Sequence, residues 1–325
     1  MRFWIEMSTP KEVLFFKDFI PEILERGHDY FITTRKYEEA NDLIDHFNLK
    51  AHIVGGHGGK SLYGKLASGA ERIKLLSDIV GDADVLVNLC NPEACRVAFG
   101  LGIPVINFID MPESDKVCRL TVPLSKAVFT PFHVPKSMIR KYWDGPIKTY
   151  NCLDPIAWMS KEPKPLDKIW NEEITYPFII YRPGETKAAY YPDKDDITIP
   201  IVEKLMEKYP SGTFLPVPRY EQHKMVDMQN LLYYADLFIG GGGTMNIEAA
   251  YWGTWTVACR PVITTYDRWM EDNVLQVRAN TIEDGVNLSQ QMIKRGVKNK
   301  NSYKLRNMTF PLKEIITSIE EYIMS

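Results

Sequence analysis

The chain has 325 residues, of which 45% are apolar and 25% are charged, and its formal net charge at pH 7 is -3. This length favours two domains, each large enough to bury a core of its own. The slightly negative charge gives no general attraction to nucleic acid, so no nucleic-acid partner is expected. No apolar run is long enough to span a bilayer, and the N-terminus lacks the pattern of a signal peptide.

The cysteines and histidines give no sign of a disulfide framework or a metal site. The five cysteines are scattered, and no pair has the Cys-x-x-Cys spacing of a zinc site or a redox motif. We interpret them as reduced thiols, which predicts a cytoplasmic protein. The six histidines show no His-x-x-x-His pairing, so no metal is predicted.

Short apolar strands and helical segments alternate through the first half of the chain. Strands are predicted at residues 2–7, 29–33, 51–54, 84–89 and 105–109, and helices at 12–26, 37–47, a long segment ending near 80, and 92–101. Pro21 is expected to kink or restart the first helix. This alternation favours a parallel, doubly wound sheet, in which ligands bind beyond the carboxyl ends of the strands.

Loops at these strand ends contain candidate functional residues. His57, surrounded by glycines, is a candidate general base because an unperturbed imidazole titrates near neutrality. The alternative is a flexible surface turn with a solvated imidazole. Lys60 could neutralise a phosphate, although a single lysine is more often simply solvated.

A segment with several prolines separates two alternating halves. We predict an N-terminal domain over residues 1–155, a linker over 156–175 and a C-terminal domain over 176–310. The second domain has predicted strands at 176–181, 213–217, 236–239 and 255–259 and helices at 195–209, 227–234 and 244–252, and segments 274–279 and 282–295 complete it. Two such halves on one linker predict a bilobed α/β molecule with a cleft between the lobes.

The predicted strand at 236–239 ends in four consecutive glycines, and a helix follows at once. Glycines such as Gly242 and Gly243 allow a sharp turn and leave no side chains over a ligand. The first amides of the helix, near Thr244, are unsatisfied and the helix dipole is positive there, so a phosphate or diphosphate fits. Glu248, about one turn further, could accept hydrogen bonds from ribose hydroxyls. The alternative is a tight strand-to-helix turn with no ligand.

This motif resembles a known nucleotide-sugar site. Gly242-Gly243-Thr244-Met245, followed by Glu248-Ala249-Ala250, looks like the donor site of GT-B-type glycosyltransferases. It is especially similar to the non-hydrolysing UDP-N-acetylglucosamine 2-epimerases and to an uncharacterised, largely archaeal family related to them. The resemblance implies that Gly243 and Thr244 hold a diphosphate and that Glu248 holds the uridine ribose. It also implies a GT-B-like fold of two Rossmann-type domains facing a cleft, a helix over 311–325 that packs back toward the N-terminal domain, and a homodimer.

Three further positions match the same family. Pro112-Glu113 resembles a segment near the sugar, so Glu113 is a catalytic candidate, with a surface carboxylate before a helix as the alternative. Arg182 matches an arginine suited to a diphosphate. Asp267 falls where relatives complete the donor pocket, and its alternative is a helix-starting loop with a surface ion pair.

Two departures from the epimerase pattern direct the functional prediction. Tyr181 stands in place of a histidine, and Leu89-Cys90-Asn91 stands in place of Gly-Asp-Thr. Epimerisation requires groups that remove and return protons at defined sugar carbons. We therefore predict a metal-independent glycosyltransferase without a cofactor, which uses a nucleotide-diphosphate sugar, a UDP-sugar by resemblance, as its donor. The helix amides and Arg182 would stabilise the leaving diphosphate.

Several features of this glycosyltransferase stay open. The candidates for the base that deprotonates the acceptor hydroxyl are His57, Glu113, Asp110 and Glu12. The acceptor is a glycan, a lipid-linked molecule or a small molecule. Basic residues near the C-terminus would suit an anionic membrane surface and thus a peripheral protein, with a solvated face as the alternative.

Two other functions remain as alternatives. One is an epimerase-like enzyme whose catalytic carboxylates are rearranged around Asp110, Glu113 and Asp115. The other is a non-catalytic protein that binds a nucleotide sugar. Transfer to an acceptor, reversible change at the second sugar carbon, and binding without turnover would distinguish the three functions.

Overall fold

The computed structural model describes residues 1–59, 61–184, 196–217 and 227–324, with the backbone alone at residue 38. The chain divides into two compact units, Met1–Trp158 with Phe310–Ser325, and Met159–Thr309. The chain therefore passes from the first unit to the second between Trp158 and Met159. Most of the segment 156–175 lies in the second unit.

The first unit is built on a seven-stranded sheet. Its strands are β1 Arg2–Glu6, β2 Asp29–Lys36, β3 Ala51–Gly56, β4 Val85–Asn88, β5 Val105–Phe108, β6 Ala127–Pro131 and β7 Ile147–Tyr150. Its helices, up to the last strand, are α1 Pro10–Phe16, α2 Phe19–Glu25, α3 Glu38–His46, α4 Leu62–Ser77, α5 Pro92–Gly100, α6 Asp115–Thr121 and α7 Lys136–Arg140. All strand pairs are parallel, in the order β3-β2-β1-β4-β5-β6-β7. The order reverses between β1 and β4, which is where ligands bind in such sheets.

In the described part of the second unit, five parallel strands form a second sheet. They are β8 Phe178–Arg182, β9 Thr213–Pro216, β10 Leu237–Gly240, β11 Trp255–Ala258 and β12 Val277–Arg278. The helices of this unit are α8 Leu166–Ile169, α9 Thr198–Lys208, α10 Met228–Leu231, α11 Thr244–Tyr251, α12 Thr265–Asp272, α13 Ile282–Arg295 and α14 Tyr303–Arg306. The strand order β12-β11-β10-β8-β9 reverses between β8 and β10. The turn at residues 241–243, which follows β10 and is called the glycine corner below, lies at this reversal.

The terminal helix α15, Leu312–Met324, belongs to the first unit. Its Ile315, Ile316 and Ile319 are buried, as their helical spacing predicts. Arg26 of α2 donates to Glu320 at 2.9 Å, so an ion pair joins α15 to α2. The segment therefore packs on the first unit although its nearest neighbours in sequence belong to the second.

The predicted helix over residues 12–26 is two helices in the structure. α1 ends at Phe16 and α2 begins at Phe19, so the break comes before Pro21. Pro21 lies in the first turn of α2, where a missing N–H removes no helical hydrogen bond. The prediction also omitted β6 and β7. β6 ends in Thr130 and Pro131, and β7 is an edge strand with Lys148 and Thr149 inside it, so neither is a continuous apolar run.

The basic residues near the C-terminus mostly contact their own unit. The Nζ of Lys298 donates to the Ala235 carbonyl at 2.7 Å and to the Thr254 hydroxyl at 2.9 Å. The Arg295 guanidinium lies over the Trp255 ring, with its carbon 4.6 Å from the ring centroid. Much of this charge is therefore engaged within the unit. Across the ranges that the structure describes, no helix is both long and apolar enough to cross a membrane.

Candidate functional site

The turn between β10 and α11 depends on glycine for two reasons. The first is space, because a Cβ at Gly241 would come within 2.2 Å of the Gly184 nitrogen, and one at Gly242 within 2.5 Å of the Arg260 Cδ. The second is backbone conformation, because φ is +90° at Gly242 and +108° at Gly243, a region that L side chains rarely adopt. The sequence therefore needs glycine at 241 to 243 for the chain to turn here.

This corner presents backbone donors to its surroundings. The Gly243 amide donates to the Tyr266 hydroxyl at 3.0 Å. Among the described residues, the amides of Thr244 and Met245 have no hydrogen-bond acceptor, and Gly243 and Thr244 are partly exposed. These amides stand at the positive end of α11. The arrangement is suited to an anion such as a phosphate.

The structure brings Arg182 to the glycine corner. β8 lies beside β10 with Arg182 opposite Gly240, and the Arg182 Nη1 is 3.1 Å from the Met245 Sδ. Glu248 is one helical turn beyond Thr244 and therefore on the same side of α11. Its side chain is only 4% exposed, so it is more covered than the sequence suggests. Arg182 and residues 242–245 thus lie together at the carboxyl ends of β8 and β10, and Glu248 lies one turn into α11.

The Asp267 carboxylate is held by contacts within the protein. It is 0% exposed and completes a capping box with Thr264 at the start of α12. Its carboxylate accepts from the Arg260 Nη2 at 2.5 Å and lies 3.3 Å from the Arg278 Nη2. Burial opposes its ionisation, but the Arg260 charge, the Thr264 amide and the Arg278 charge outweigh burial and lower the Asp267 pKa. The ion pair that the sequence suggested here is therefore buried. Asp267 would affect a ligand only indirectly, by positioning Arg260 and Arg278.

Arg260 is a residue that the sequence analysis missed. It is buried, lies against Gly242, and stands two residues after the end of β11. An arginine soon after an apolar strand was the available signal, because the carboxyl ends of parallel strands meet at one edge of the sheet. Its charge lies beside the corner that presents the free amides.

A second polar group lies in the first unit, where the strand order reverses. Glu6, at the end of β1, is 0% exposed. It accepts from the Arg72 Nη2 at 2.7 Å, from the Thr33 hydroxyl at 2.5 Å and from the Ser8 hydroxyl. Glu6 is therefore a fully engaged carboxylate. The sequence analysis missed it because it stands inside an apolar strand.

The four candidate bases occupy different environments in the first unit. His57 is exposed, and its Nδ1 accepts from the Gly59 amide at 3.0 Å. Glu113 is partly buried just before α6. Asp110 pairs with the Lys11 Nζ at 2.5 Å. Burial acts against ionisation of Asp110, but the Lys11 charge outweighs it, so the Asp110 pKa is lowered.

Glu12, the fourth candidate, is the most buried of these groups. It lies in the first turn of α1 with 5% of its surface exposed. Burial and then the Glu6 carboxylate raise its pKa from the ordinary 4.5 to about 7, against the opposing Arg35 charge. A carboxyl group with this pKa exchanges protons near neutral pH. Lys60, the predicted phosphate partner, lies outside the described residues.

Cys90 and Asn91 stand where the epimerase pattern has an acidic residue. Cys90 has a φ of +55°, and the Asn91 side chain caps α5 by accepting from the Ala94 amide at 3.0 Å. Burial raises the pKa of the Cys90 thiol well above its usual range. All five cysteines are free. The Cys90 thiol therefore stays protonated near neutral pH and is a poor nucleophile.

Two parallel α/β units, with a glycine corner at the strand reversal of the second, define a protein of the GT-B-like class. The chain matches the family described as "Protein of unknown function (DUF354)" over residues 1–323, and it belongs to that family. It is 27% identical over 307 residues to the uncharacterized protein MJ0665 of Methanocaldococcus jannaschii, which corresponds to 87% of this chain and 89% of that protein.

Solved structures confirm the predicted fold. A UDP-GlcNAc 2-epimerase of Methanocaldococcus jannaschii, in complex with UDP-GlcNAc and UDP, matches with a TM-score of 0.76 and 15% identity, over 99% of this chain and 100% of that one. The spinosyn forosaminyltransferase SpnP matches with a TM-score of 0.68 and 12% identity, over all of both chains. At these identities the likeness establishes the fold, and it agrees with the resemblance seen in the glycine motif.

Proposed function

We propose that this protein is a glycosyltransferase that binds a nucleoside diphosphate sugar at the glycine corner of its second unit. The observation that carries the proposal is the pair of amides at Thr244 and Met245, which lack acceptors among the described residues and stand at the positive end of α11. The diphosphate would accept from these amides. Arg182, in contact with Met245, would add a positive charge.

The chemistry follows from where charge develops during transfer. As the bond between the sugar and the diphosphate breaks, the leaving oxygen gains negative charge. Donors that already point at that position stabilise the transition state without rearrangement. The helix amides and Arg182 supply such donors, so the reaction is proposed to need no metal. Glu248 is the proposed ligand of the ribose hydroxyls.

An epimerase-like activity is the second candidate. It is supported by the TM-score of 0.76 with a UDP-GlcNAc 2-epimerase. It requires a pair of proton-transfer groups around one sugar carbon. The Cys90 thiol, held protonated by burial, does not replace the acidic group that the epimerase pattern has there, so sugar transfer is the simpler proposal. The acceptor, a homodimer, the cytoplasmic location and a peripheral position at a membrane remain predictions.

A thermal-shift experiment with UDP, dTDP, UDP-GlcNAc and inorganic phosphate tests donor binding. A ligand that binds only the folded state raises the midpoint of unfolding, and we expect a rise with nucleoside diphosphates but not with phosphate at equal concentration. Glu248→Ala should remove most of the rise. Glu207→Ala, at an exposed glutamate of α9 in the same unit, is the matched control and should keep it. A wild-type protein that responds to no nucleoside diphosphate contradicts the proposal.

Product analysis then separates the two activities. Release of nucleoside diphosphate with transfer of the sugar to an added acceptor supports the glycosyltransferase. Reversible change at the second carbon of the sugar, with the nucleotide intact, supports the epimerase instead. Binding without turnover in any acceptor mixture would contradict both activities and favour a nucleotide-sugar-binding protein.

A further inference from the structure

The segment of the first unit that contains α6 and α7 is strongly basic. Residues 115–144 include six lysines and arginines but only two aspartates, so this segment carries a formal charge of +4. The whole chain carries -3, so the residues outside the segment sum to -7. A positive surface on a protein that is otherwise negative favours an anionic partner for that surface.

The six cations of this segment are all exposed: Lys116, Arg119, Lys126, Lys136, Arg140 and Lys141. On α6, Lys116, Arg119 and Leu120 have the spacing of one helical face and are exposed, while Cys118 is buried. On α7 the buried residue is Ile139. Cys118 and Ile139 belong to one apolar cluster. The two helices therefore form one layer over that cluster, and the cations lie on the solvent side of the layer.

Tyr142 joins the charges of the two helices. The Arg119 guanidinium carbon is 5.9 Å and the Lys141 Nζ is 4.5 Å from the centroid of the Tyr142 ring. The Asp115 carboxylate accepts from the Tyr142 hydroxyl at 2.6 Å and pairs with Arg119 at 2.7 Å and with Lys141 at 3.6 Å. The cations of α6 and α7 therefore belong to one continuous surface, called the basic surface below. A single carboxylate between two cations leaves this surface positive.

Three lysines and one leucine of the basic surface are available to a partner. In the part of the chain that the structure describes, Lys116, Lys126 and Lys136 form no ion pair. Leu120, next to Arg119 in α6, is 59% exposed, so a large apolar side chain stands among the cations. This combination suits the headgroup layer of an anionic bilayer, because the apolar group can enter the layer while the ammonium groups stay at the phosphates.

We propose that the basic surface docks this protein on an anionic membrane surface, with Leu120 inserted between the lipid headgroups. The basic residues near the C-terminus are less suited to this role, because Lys298 and Arg295 are engaged within their own unit. A nucleic acid fits the basic surface less well, because a phosphate backbone offers no apolar contact to Leu120. A long polyanion would also run past these two short helices onto the negative remainder of the protein.

Vesicle flotation tests the docking of the basic surface. Wild-type protein should bind vesicles of about 30% phosphatidylglycerol in phosphatidylcholine at low salt and should not bind pure phosphatidylcholine. Salt near about 0.5 M should release it, because exposed charges are screened there. The double variant Lys116→Glu with Lys136→Glu should lower the binding constant about 10-fold or more. Both changes place an acidic side chain in a first helical turn, which suits the helix dipole, so the variant should fold.

Lys50→Glu with Lys74→Glu is the matched control, at exposed positions of the same unit outside the basic surface. It makes the same change in net charge and should keep the wild-type binding. A wild-type protein that does not bind anionic vesicles overturns the proposal. An equal loss of binding in the two double variants also overturns it, because that result would reflect net charge alone. Stronger binding to duplex DNA than to the vesicles at the same salt overturns the choice of partner.

Leu120→Ala tests the apolar part of the docking. It should weaken vesicle binding several-fold and leave the salt dependence unchanged, because the charges remain. Leu101→Ala, at a 48% exposed leucine at the end of α5, is the control and should change neither. Wild-type binding by Leu120→Ala overturns the insertion of this side chain. The vesicle assay contains no nucleotide, so its outcome is independent of the proposed donor site.

Discussion

The Tyr266 hydroxyl accepts a hydrogen bond from the Gly243 amide at 3.0 Å, so the glycine corner already uses one of its donors within the protein. Tyr266 is buried in α12, and the Arg260 guanidinium carbon is 5.1 Å from the centroid of its ring. A phosphate at the proposed donor site would find the Thr244 and Met245 amides available. It would either share the Gly243 amide with Tyr266 or displace the hydroxyl.

Tyr266→Phe tests whether a bound phosphate shares the Gly243 amide with the Tyr266 hydroxyl or replaces that hydroxyl. Without ligand, removing the acceptor of a partly buried N–H should lower the free energy of unfolding by about 1 kcal/mol. With UDP, a phosphate oxygen can replace the hydroxyl, so the increase in stability should exceed that of the wild type. Urea unfolding with and without UDP measures both effects, and Tyr63→Phe, at an 81% exposed tyrosine of α4, serves as control. A smaller UDP effect in Tyr266→Phe would show that the hydroxyl itself contributes to binding.

Asp267→Asn should destabilise the second unit strongly. The change leaves the buried Arg260 and Arg278 guanidinium groups without their shared carboxylate, and breaking a buried pair in this way costs about 3–5 kcal/mol. Because the Asp267 pKa is lowered, its contribution to stability is present above the unfolded pKa of about 3.9 and is lost as the pH falls through the folded value. The difference from wild type should therefore be largest near neutral pH and shrink below about pH 4.

Urea unfolding at pH 7 and in acid measures this dependence on Asp267. Asp272→Asn, at an exposed position of the same helix, should change the stability little at either pH. Equal effects of the two substitutions at pH 7 would contradict the structural role given to Asp267.

Glu12→Gln should have a stability effect that grows with pH. The Glu12 pKa rises from 4.5 to about 7 on folding, so the stability that protonation provides is fully present below about pH 4.5 and is lost as the pH rises through 7. At pH 8 the wild type carries a buried negative charge, and glutamine removes it. The variant should gain up to about 3 kcal/mol there and almost nothing at pH 4.5.

Unfolding curves at pH 4.5, 6 and 8 check the Glu12 prediction, with Glu25→Gln, at an exposed glutamate of α2, as the control. A gain that is the same at every pH would show that the substitution acts through packing and not through charge. A loss at pH 8 would mean that ionised Glu12 has a partner in the folded protein.

Gly242→Ala should disturb the corner through space and backbone together. The added Cβ would approach the Arg260 Cδ to 2.5 Å at a φ of +90°. Gly102→Ala provides the matched control, because φ is +74° there but no described atom lies within 4 Å of the new Cβ. We expect about 1 kcal/mol of destabilisation at 102, from backbone strain alone, and clearly more at 242.

The same pair of variants also reports on binding. Gly242→Ala should reduce the thermal shift with UDP, and Gly102→Ala should leave it unchanged. Equal stability losses and an unchanged UDP shift in both would show that Gly242 is needed only for its backbone conformation.

The local pattern of residues predicted many elements but not all. Apolar runs such as 237–239 and 85–88 predicted β10 and β4, because strands buried on both faces need continuous apolar side chains. β6 and β7 were missed because polar residues or a proline interrupt their apolar pattern, Thr130 and Pro131 in β6 and Lys148 and Thr149 in the edge strand β7. The start of α2 at Phe19 was not predicted, because Pro21 is the stronger sequence signal for a helix break. A proline in the first turn of a helix, as Pro21 is in α2, does not interrupt the helix.

The sequence by itself determined the parallel α/β class and the position of the glycine corner, because both depend on residues close together in the chain. Strand periodicity and the need for glycine at positive φ act over a few residues. The tertiary structure decided which charged side chains contact one another. Glu6 pairs with Arg72, 66 residues away, and Glu12 gains its raised pKa from burial and from Glu6. These contacts depend on strand order, and strand order follows from how the whole sheet packs.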